Sequence, residues 1–478
     1  MKKLVISLAG AAVVLLLVLG VVGCVMPNQP TDKAPDKPPE GTYSTDDLLA
    51  SLDQLQGPAS RSLTAAGQTV FSLPGGKALG ISDLSSYLNA IKRNFASYVS
   101  TSSNGSLYLV QTVKLSWTNA AGARESGLMW VPFTWFRSKT FPVISYQHGT
   151  QVFRACAPSQ FNGNPLAVFS SPDMMGALQN YVECIVGALM ASAGYIVVMP
   201  DYVGFGDPLS TAIHPYVTQA LGGSVAGIVA KARDALQNSP VKPNLSRTYL
   251  TGYSEGGYAT MVGVPALAAL AMDPEMGLLI RGVVPCDGAY SLSDVMLKQM
   301  IHDYVPPETP PKVPWYLLYA ASGIQAADHV DLTWIFADDW AKDLAFFNGS
   351  KTTAFIDSNV PFGTVPRTML STAVVQELEL EPGRGVVFNL LKANDAWALW
   401  SGPPSPVPLL IVHCPTDDIV PYANAVALAN HFGISTDAIV QVPPVPFVET
   451  LLGSVHVAAY PTAMLAAFTA IQTINKIP

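Results

Sequence analysis

Charge is scarce in this chain. Asp, Glu, Lys and Arg make up 13% of its 478 residues and the formal net charge is -8. With no basic tract anywhere along it, nucleic acid is excluded as an expected partner. Internal repetition is absent too: no period of 20 to 50 residues recurs, which sets aside solenoids and propellers. The five cysteines contain no CxxC pair, and no nucleotide-binding glycine loop is present. No metal and no organic cofactor is therefore implied. Nothing in the residues specifies a protein partner. The composition is 49% hydrophobic without repeated membrane spans, and the length suits one large catalytic domain with insertions, or two domains.

What is present begins at the first residue. "MKK" supplies a positive start and "LVISLAGAAVVLLLVLGVV" an apolar stretch, followed by Gly23-Cys24. Such a stretch is long enough for a retained membrane anchor. "VVGC", however, resembles the lipobox of bacterial lipoproteins, in which cleavage exposes a cysteine for lipid attachment. Residues 1–23 are accordingly expected to be a signal peptide, and 24–42, rich in Pro, Asp and Lys, an extended tether. The expected location is extracytoplasmic and membrane-anchored through Cys24. In a two-membrane envelope Val25 and Met26, neither of them the aspartate of inner-membrane retention, point to the outer membrane. Export also gives the remaining cysteines meaning. Cys156, Cys184, Cys286 and Cys414 permit two disulfides in any of three connectivities, with buried free thiols as the alternative.

Residues 43–105 read as a helical or irregular extension. Beyond them "SLYLVQTVKLSW" and "ESGLMWVPFTW" alternate as a half-buried hairpin would. "FPVISYQ", "GYIVVMP", "RTYLTGY", "IRGVVP" and "PLLIVHC" are continuous apolar runs of the kind found in parallel sheets covered on both faces. Helical stretches lie between them. The expected fold is α/β, a doubly wound and mostly parallel sheet of core residues 106–290 and 405–478. One connection is far too long for a crossover. Residues 291–404, after the sixth strand "IRGVVP", are expected to form a largely helical cap.

The chemistry concentrates at "GYSEGGYAT", residues 252–260. Gly-x-Ser-x-Gly between a strand and a helix places the serine in a strained turn, where flanking glycines let strand and helix pass closely. Ser254 is thus the candidate nucleophile. A serine hydroxyl needs a base, and the base an orienting acid. Later in the chain "LLIVHCPTDDIVPYANA" offers Asp417 and Asp418, and "LGSVHVAAYPTAM" offers His456. The favoured order is Ser254, Asp417, His456; Asp418 and Asp287, in "PCDGAY", are the alternative acids. His413 belongs to the strand end and is expected to support the acid loop.

A tetrahedral intermediate also needs donors for its oxyanion. One should be the backbone N–H of Glu255. The second should come from "SYQHGTQVFRACAP", as the N–H of Thr150 or Gln151, with His148 and Gly149 shaping the loop. In "PDYVGFGDP" Asp201 is expected to be a support beside the site, and His214 in "HPY" a structural residue.

Together, "SYQHGT", "PDYVGFGDP" with "HPY", "GYSEGG", "HCPTDDIVPY" and "SVHVAAYPTA" resemble, in that order over residues 106–478, the secretory lipase (lipase A type) family of α/β-hydrolases. This chain carries His413-Cys414 where that family usually has His-Gly before the acid. The resemblance implies hydrolysis of carboxylic esters, small-molecule or lipid, with a late helical cap. A serine peptidase or amidase on the same fold is the alternative enzyme, and a non-catalytic surface lipoprotein binding lipid or a partner the alternative of another class.

Overall fold

The computed structural model describes residues 41–54, 71–72, 78–79, 88–93, 95, 107–134, 138–207, 209–302, 313–380, 383–400, 407–445 and 454–476. The expected signal peptide and Cys24 lie outside the described residues, as do the expected tether through residue 40 and most of the extension. Everything below concerns the compact unit that follows Pro39.

Its frame is a nine-stranded sheet. In chain order the strands are β1 (Thr42–Tyr43), β2 (Val110–Thr118), β3 (Arg124–Pro132), β4 (Lys139–Gln147), β5 (Ile196–Pro200), β6 (Val241–Tyr253), β7 (Ile280–Cys286), β8 (Val412–His413) and β9 (Val440–Gln441). They lie in the order β1-β2-β3-β5-β4-β6-β7-β8-β9. The first three pairings are antiparallel and the remaining five parallel. Alternation along the parallel strands divides their side chains between two cores. Val143, Leu250 and Val283 face one, with Val225 and Ile228 of helix α3 (Leu221–Ala235) and Met261 of α4 (Glu255–Leu270). Ile144, Tyr249 and Val284 face the other, with Ile185 of α2 (Met174–Ser192) and Phe468 of α10 (Val455–Asn475). Burial on both faces explains why these strands read as continuous apolar runs.

The structure refines three expectations. Within the extension, read as helical or irregular, α1 (Thr45–Gln54) packs on α2, and β1, which includes Thr42 of the expected tether, pairs with β2 and edges the sheet. The run "PLLIVHC" makes only a two-residue strand, Val412–His413, preceded by an isolated bridge from Leu409 to Val283. Backbone hydrogen bonds still join Pro408 and Leu410 to Val283 and Ile411 to Val440, so the run lies along the sheet although only two residues form regular strand. The four described cysteines form no disulfide. Each is a buried free thiol, and burial pushes all four up in pKa.

Between β7 and β8 the insertion runs through α5 (Tyr316–Asp328), α6 (Thr353–Asn359), α7 (Thr372–Leu380) and α8 (Gly385–Ala393). It is bound to the sheet domain by hydrogen bonds from several sides. Asp173, the N-cap of α2, accepts from Thr353 N and Oγ1 at 2.9 Å each. Tyr319 Oη donates to Gln151 O at 2.7 Å, and Tyr258 Oη to Asn394 O at 2.7 Å. After β8 come α9 (Ala423–His431) and the last helix, α10. Among the described residues it alone is long and apolar enough to cross a membrane. Its apolarity is spent against the sheet instead, where Ala458, Ala463, Phe468 and Ile471 are buried.

The register decides where function can sit. Gln147 of β4 pairs with Gly252 of β6, Tyr253 of β6 with Cys286 of β7, and Cys286 with Val412 of β8. Four central strands therefore end at one level, and the segments that leave them share one edge. In open α/β sheets that carboxyl edge is where ligands are handled.

Candidate active site

Ser254 follows β6 directly and has φ 60° and ψ -122°. A non-glycine residue there stores backbone strain of about 1–3 kcal/mol, which the neighbouring chain must hold in place. It does so by closeness. A Cβ on Gly256 would lie 2.0 Å from Gln147 O, and one on Gly252 2.4 Å from Gly256 O and 2.6 Å from Gln147 O. Only glycine fits at either position. The Ser254 N–H is fixed by Cys286 O at 3.0 Å. Although Ser254 is the N-cap of α4, its hydroxyl does not cap the helix. It is half-buried, between buried Tyr253 and Glu255.

His456 and Asp417, the expected base and acid, are brought into contact. Asp417, in the turn after β8, accepts at Oδ2 from His456 Nδ1 at 2.6 Å. Its other oxygen accepts from Ile419 N at 2.9 Å and Val420 N at 2.8 Å. Burial opposes the charge on Asp417, but the facing His456, its hydrogen bond, and His413 hold its pKa below the usual carboxylate value. The adjacent Asp418 has another task. Its oxygens accept from Ser454 Oγ at 3.1 Å, Val455 N at 3.0 Å and His456 N at 3.1 Å. It thus anchors the first turn of α10, an N-terminal position where a carboxylate is favoured. Two consecutive aspartates hold one histidine, one by its ring and one by its backbone. Tyr253 completes the setting: its hydroxyl donates to His456 O at 2.6 Å and the two rings lie 4.9 Å apart. The residue before the serine therefore touches the histidine, while His456 Nε2 has no hydrogen bond among the described residues.

Asp287 does not reach His456 as its acid. It is fully buried at the end of β7 with φ 44°. Its Oδ1 accepts from Cys414 N at 2.8 Å and lies 3.8 Å from His413 Nε2. His413 Nε2 donates to Val420 O at 2.9 Å, which ties the acid turn to β8, and burial lowers its pKa.

The loop after β4 lies close to the serine turn: a Cβ on Gly149 would be 3.5 Å from Tyr253 O. The Gly149 N–H is already engaged by Glu183, 3.2 and 3.3 Å from its two oxygens. That leaves the following amides, Thr150 and Gln151, as candidate donors. Thr150 Oγ1 sits 3.4 Å from Tyr216 Oη, and Gln151 O accepts the Tyr319 hydroxyl from α5. His148 packs against Tyr202, ring centres 4.3 Å apart and planes tilted by 31°, and places Nδ1 2.7 Å from Gly149 O; burial lowers its pKa, which favours the neutral ring in the turn. Asp201 accepts from Ser159 N at 2.8 Å and Ser126 Oγ at 2.6 Å, a buried brace away from the reacting groups.

Two buttresses go beyond the sequence reading. His214 Nε2 lies 2.6 Å from Glu255 Oε1, both side chains buried. The pair fixes the residue directly after Ser254. Glu183 is a site residue that the motifs do not mark. A signal for it exists: it is the sole acid in the apolar helix "MMGALQNYVECIVGALMAS", and a lone buried charge requires a partner or a proton. Here it takes a proton; burial raises its pKa to about 8.

Ser254 opens onto an apolar cavity of about 60 Å³. Its walls come mainly from the insertion, among them Leu292, Met296, Met300, Leu317 and Ala320.

No protein-family model and no curated protein sequence matches the chain. Solved structures do. A Legionella pneumophila protein provisionally assigned as a hydrolase aligns with TM-score 0.62 and 21% identity over 92% of this chain and 97% of its own. The rice cell wall degrading esterase LipA of Xanthomonas oryzae aligns with TM-score 0.56 and 20% identity over 81% of this chain and 94% of its own.

Glu183 gives the site a measurable pH signature. Its pKa near 8 when folded lies above the unfolded glutamate's, about 4.3. Between those values the native state holds a proton that the unfolded state does not. Its contribution is therefore fully present below the lower value and falls as pH rises toward the upper one. Glu183→Gln keeps an acceptor for Gly149 N without the charge. Thermal unfolding followed from pH 5 to 9 should show a flatter Tm profile in the variant, with its advantage over wild type growing as pH rises. With sheet, crossover helices, serine turn and late acid–histidine pair at one strand edge, the chain has the α/β-hydrolase fold.

Proposed function

We propose that the protein is a serine carboxylic ester hydrolase in which Ser254, His456 and Asp417 act through an acyl-enzyme. The observation that carries this reading is the 2.6 Å His456–Asp417 hydrogen bond, set beside a strained, uncapped serine. Asp417 fixes the imidazole with Nδ1–H toward itself, which leaves Nε2 to take the Ser254 proton as Oγ attacks the ester carbonyl. The oxyanion is stabilised by the N–H of Glu255, at the positive end of α4, and by that of Thr150 or Gln151. His456 then protonates the departing alkoxide. A water, deprotonated by the same nitrogen, releases the acid and frees Ser254. The structural neighbour named as an esterase agrees with this electrophile, although a shared fold does not fix a substrate.

The cavity argues for an acyl group. Its lining is aliphatic and thioether apart from Ser254, Glu255 and two tyrosines, and Glu255 is engaged by His214. About 60 Å³ corresponds to room for about four to six water-sized groups, which suits short or medium acyl chains. No observation favours the peptidase reading: Asp338 and Asp339, the acids it would use to bind a substrate amine, are solvent-exposed. The binding-protein reading leaves the serine strain and the acid–histidine pair without a purpose.

The deciding experiment is hydrolysis of p-nitrophenyl esters from acetate to palmitate by the chain lacking residues 1–24. Turnover is expected to peak at butanoate to octanoate, and Ser254→Ala to lower it by ~10⁴-fold or more. An inert wild type would remove the ester reading. The paired aspartates give a second check. Asp417→Asn should cost ~10³–10⁴-fold in kcat. Asp418→Ala, which removes a helix anchor worth ~1 kcal/mol, should mainly lower Tm. Equal losses of kcat would contradict the division of labour. Anchoring through Cys24 belongs to the same proposal. Labelling the full chain with radioactive palmitate should mark the wild type and not Cys24→Ala; no label on the wild type would remove the anchor.

A further inference from the structure

Asp287 is the buried acid for which the mechanism above has no use. It sits one residue beyond Cys286, whose carbonyl fixes the Ser254 N–H, so it belongs to the same strand-end layer as the nucleophile. Its backbone is strained at φ 44°. Asp and Asn tolerate that region better than most residues, but tolerance alone does not require a carboxyl group there. Oδ1 is accounted for by Cys414 N. Oδ2 is buried and accepts from no donor among the described residues. A buried, unsatisfied carboxylate oxygen is costly and calls for an explanation.

Asp417 supplies one. The carboxyl groups of Asp287 and Asp417 come within 4.8 Å of each other and of His413, and the two acids interact directly through their side chains. Two carboxylates this close in a buried place do not both ionise; one retains a proton. Asp417 is the one stabilised as an anion, by His456 and by two backbone N–H groups.

We propose that Asp287 is a positioning residue of the active site: as the neutral acid its Oδ2–H donates to Asp417, and so holds the carboxylate that orients His456. The orphaned oxygen then becomes a donor with an acceptor. The strained backbone at the end of β7 is what aims it.

The electrostatics of the pocket agree. Burial raises the Asp287 pKa well above the ordinary carboxylate value, and the charge of Asp417 adds to it, against a smaller opposing effect of the Cys414 N–H. The other titratable groups facing Asp287 are His413, Cys414, Cys286, Tyr253 and Tyr290. His413 is disfavoured as a cation by burial, and burial also keeps the thiols and phenols neutral. No lysine or arginine is buried among the described residues, so no fixed cation is present to draw the proton off.

The inference rests on the ester-hydrolase reading, and its test separates the two. Wild type and Ser254→Ala are first compared on the preferred p-nitrophenyl ester. Loss of activity in Ser254→Ala establishes the hydrolase, whatever Asp287 does. Two variants then divide the roles of Asp287. Asp287→Gly accommodates the positive φ but has no side chain. Asp287→Asn keeps an acceptor for Cys414 N and a donor for Asp417. The glycine variant should lose at least tenfold in kcat with KM little moved, because the apolar cavity is untouched. The asparagine variant should recover most of that loss.

A proton NMR readout independent of turnover is the far-downfield signal of His456 Nδ1–H, assigned by its absence in His456→Ala. It should persist in Asp287→Asn and vanish or broaden in Asp287→Gly. Should Asp287→Gly fail to fold, the carbon-13 carboxyl resonance of Asp287 in the wild-type protein, assigned against Asp287→Asn, decides the matter. It is expected at the protonated position at neutral pH. An ionised Asp287, an asparagine variant as impaired as the glycine one, or a glycine variant with normal kcat and an intact downfield signal would each overturn the proposal.

Discussion

The site depends on how closely the first turn of α4 passes the end of β4. Gly256 lies so near Gln147 that a methyl group would reach 2.0 Å from its carbonyl oxygen. Drawing the helix in this far forces the chain at Ser254 through a positive φ, so that the strain at the nucleophile follows from the packing. The same approach brings the loop after β4 beside the serine. The candidate nucleophile and its nearby amides are thus fixed by one contact between two backbones. That contact needs glycine on both sides of the serine for steric reasons before any chemistry is considered.

Around this contact the protein buries acids without burying any lysine or arginine among the described residues. The cost of desolvation is met in three ways. Asp201 and Asp173 accept hydrogen bonds from amides and hydroxyls. Glu255 and Asp417 face imidazoles at 2.6 Å. For Glu183 and Asp287 burial raises the pKa, which favours the neutral acid. A chain with so little charge overall places much of its buried acidity around one strand edge. There, low dielectric strengthens each hydrogen bond and makes each unpaired group expensive.

Much of this was legible in the sequence, and the limits have physical causes. The strand-end positions of Ser254, Asp417 and His456, and the pairing of the last two, were readable because their motif and order are local patterns. The continuous apolar strands were readable because two-sided burial writes itself into composition. The short regular strand at Val412–His413 was not, since apolarity says nothing about how evenly the amides of a run are paired. The contribution of Thr42–Tyr43 to the sheet was hidden behind a proline-rich segment whose composition reads as tether. The distinct tasks of Asp417 and Asp418 differ by one position in sequence. Which carboxylate meets a ring and which meets a helix end is fixed only by the turn between them. His214 with Glu255, and Glu183 with Gly149, join residues 41 and 34 positions apart. No local pattern connects them, although an acid alone in an apolar helix was a visible cue.

The insertion is more than a cover laid over a finished site. Tyr319 of α5 stacks on Tyr216 at 4.1 Å with the ring planes 2° apart, and on Phe347 at 4.6 Å. Its hydroxyl also holds the carbonyl of Gln151, in the loop expected to supply an oxyanion donor. Tyr216 in turn lines the cavity and sits 3.4 Å from Thr150 Oγ1. Under the proposed mechanism, the wall that would receive the acyl group and the loop that would stabilise its carbonyl therefore share the same side chains. Any displacement of α5 large enough to widen the cavity would break a buried hydrogen bond to the oxyanion loop and separate a stacked pair. Substrate fit and transition-state stabilisation are coupled by that construction. A chain that fills the cavity without disturbing α5 leaves the loop in its reactive geometry, whereas one that forces α5 away weakens the stabilisation it needs. Selection among acyl groups would then be expressed in turnover as much as in binding.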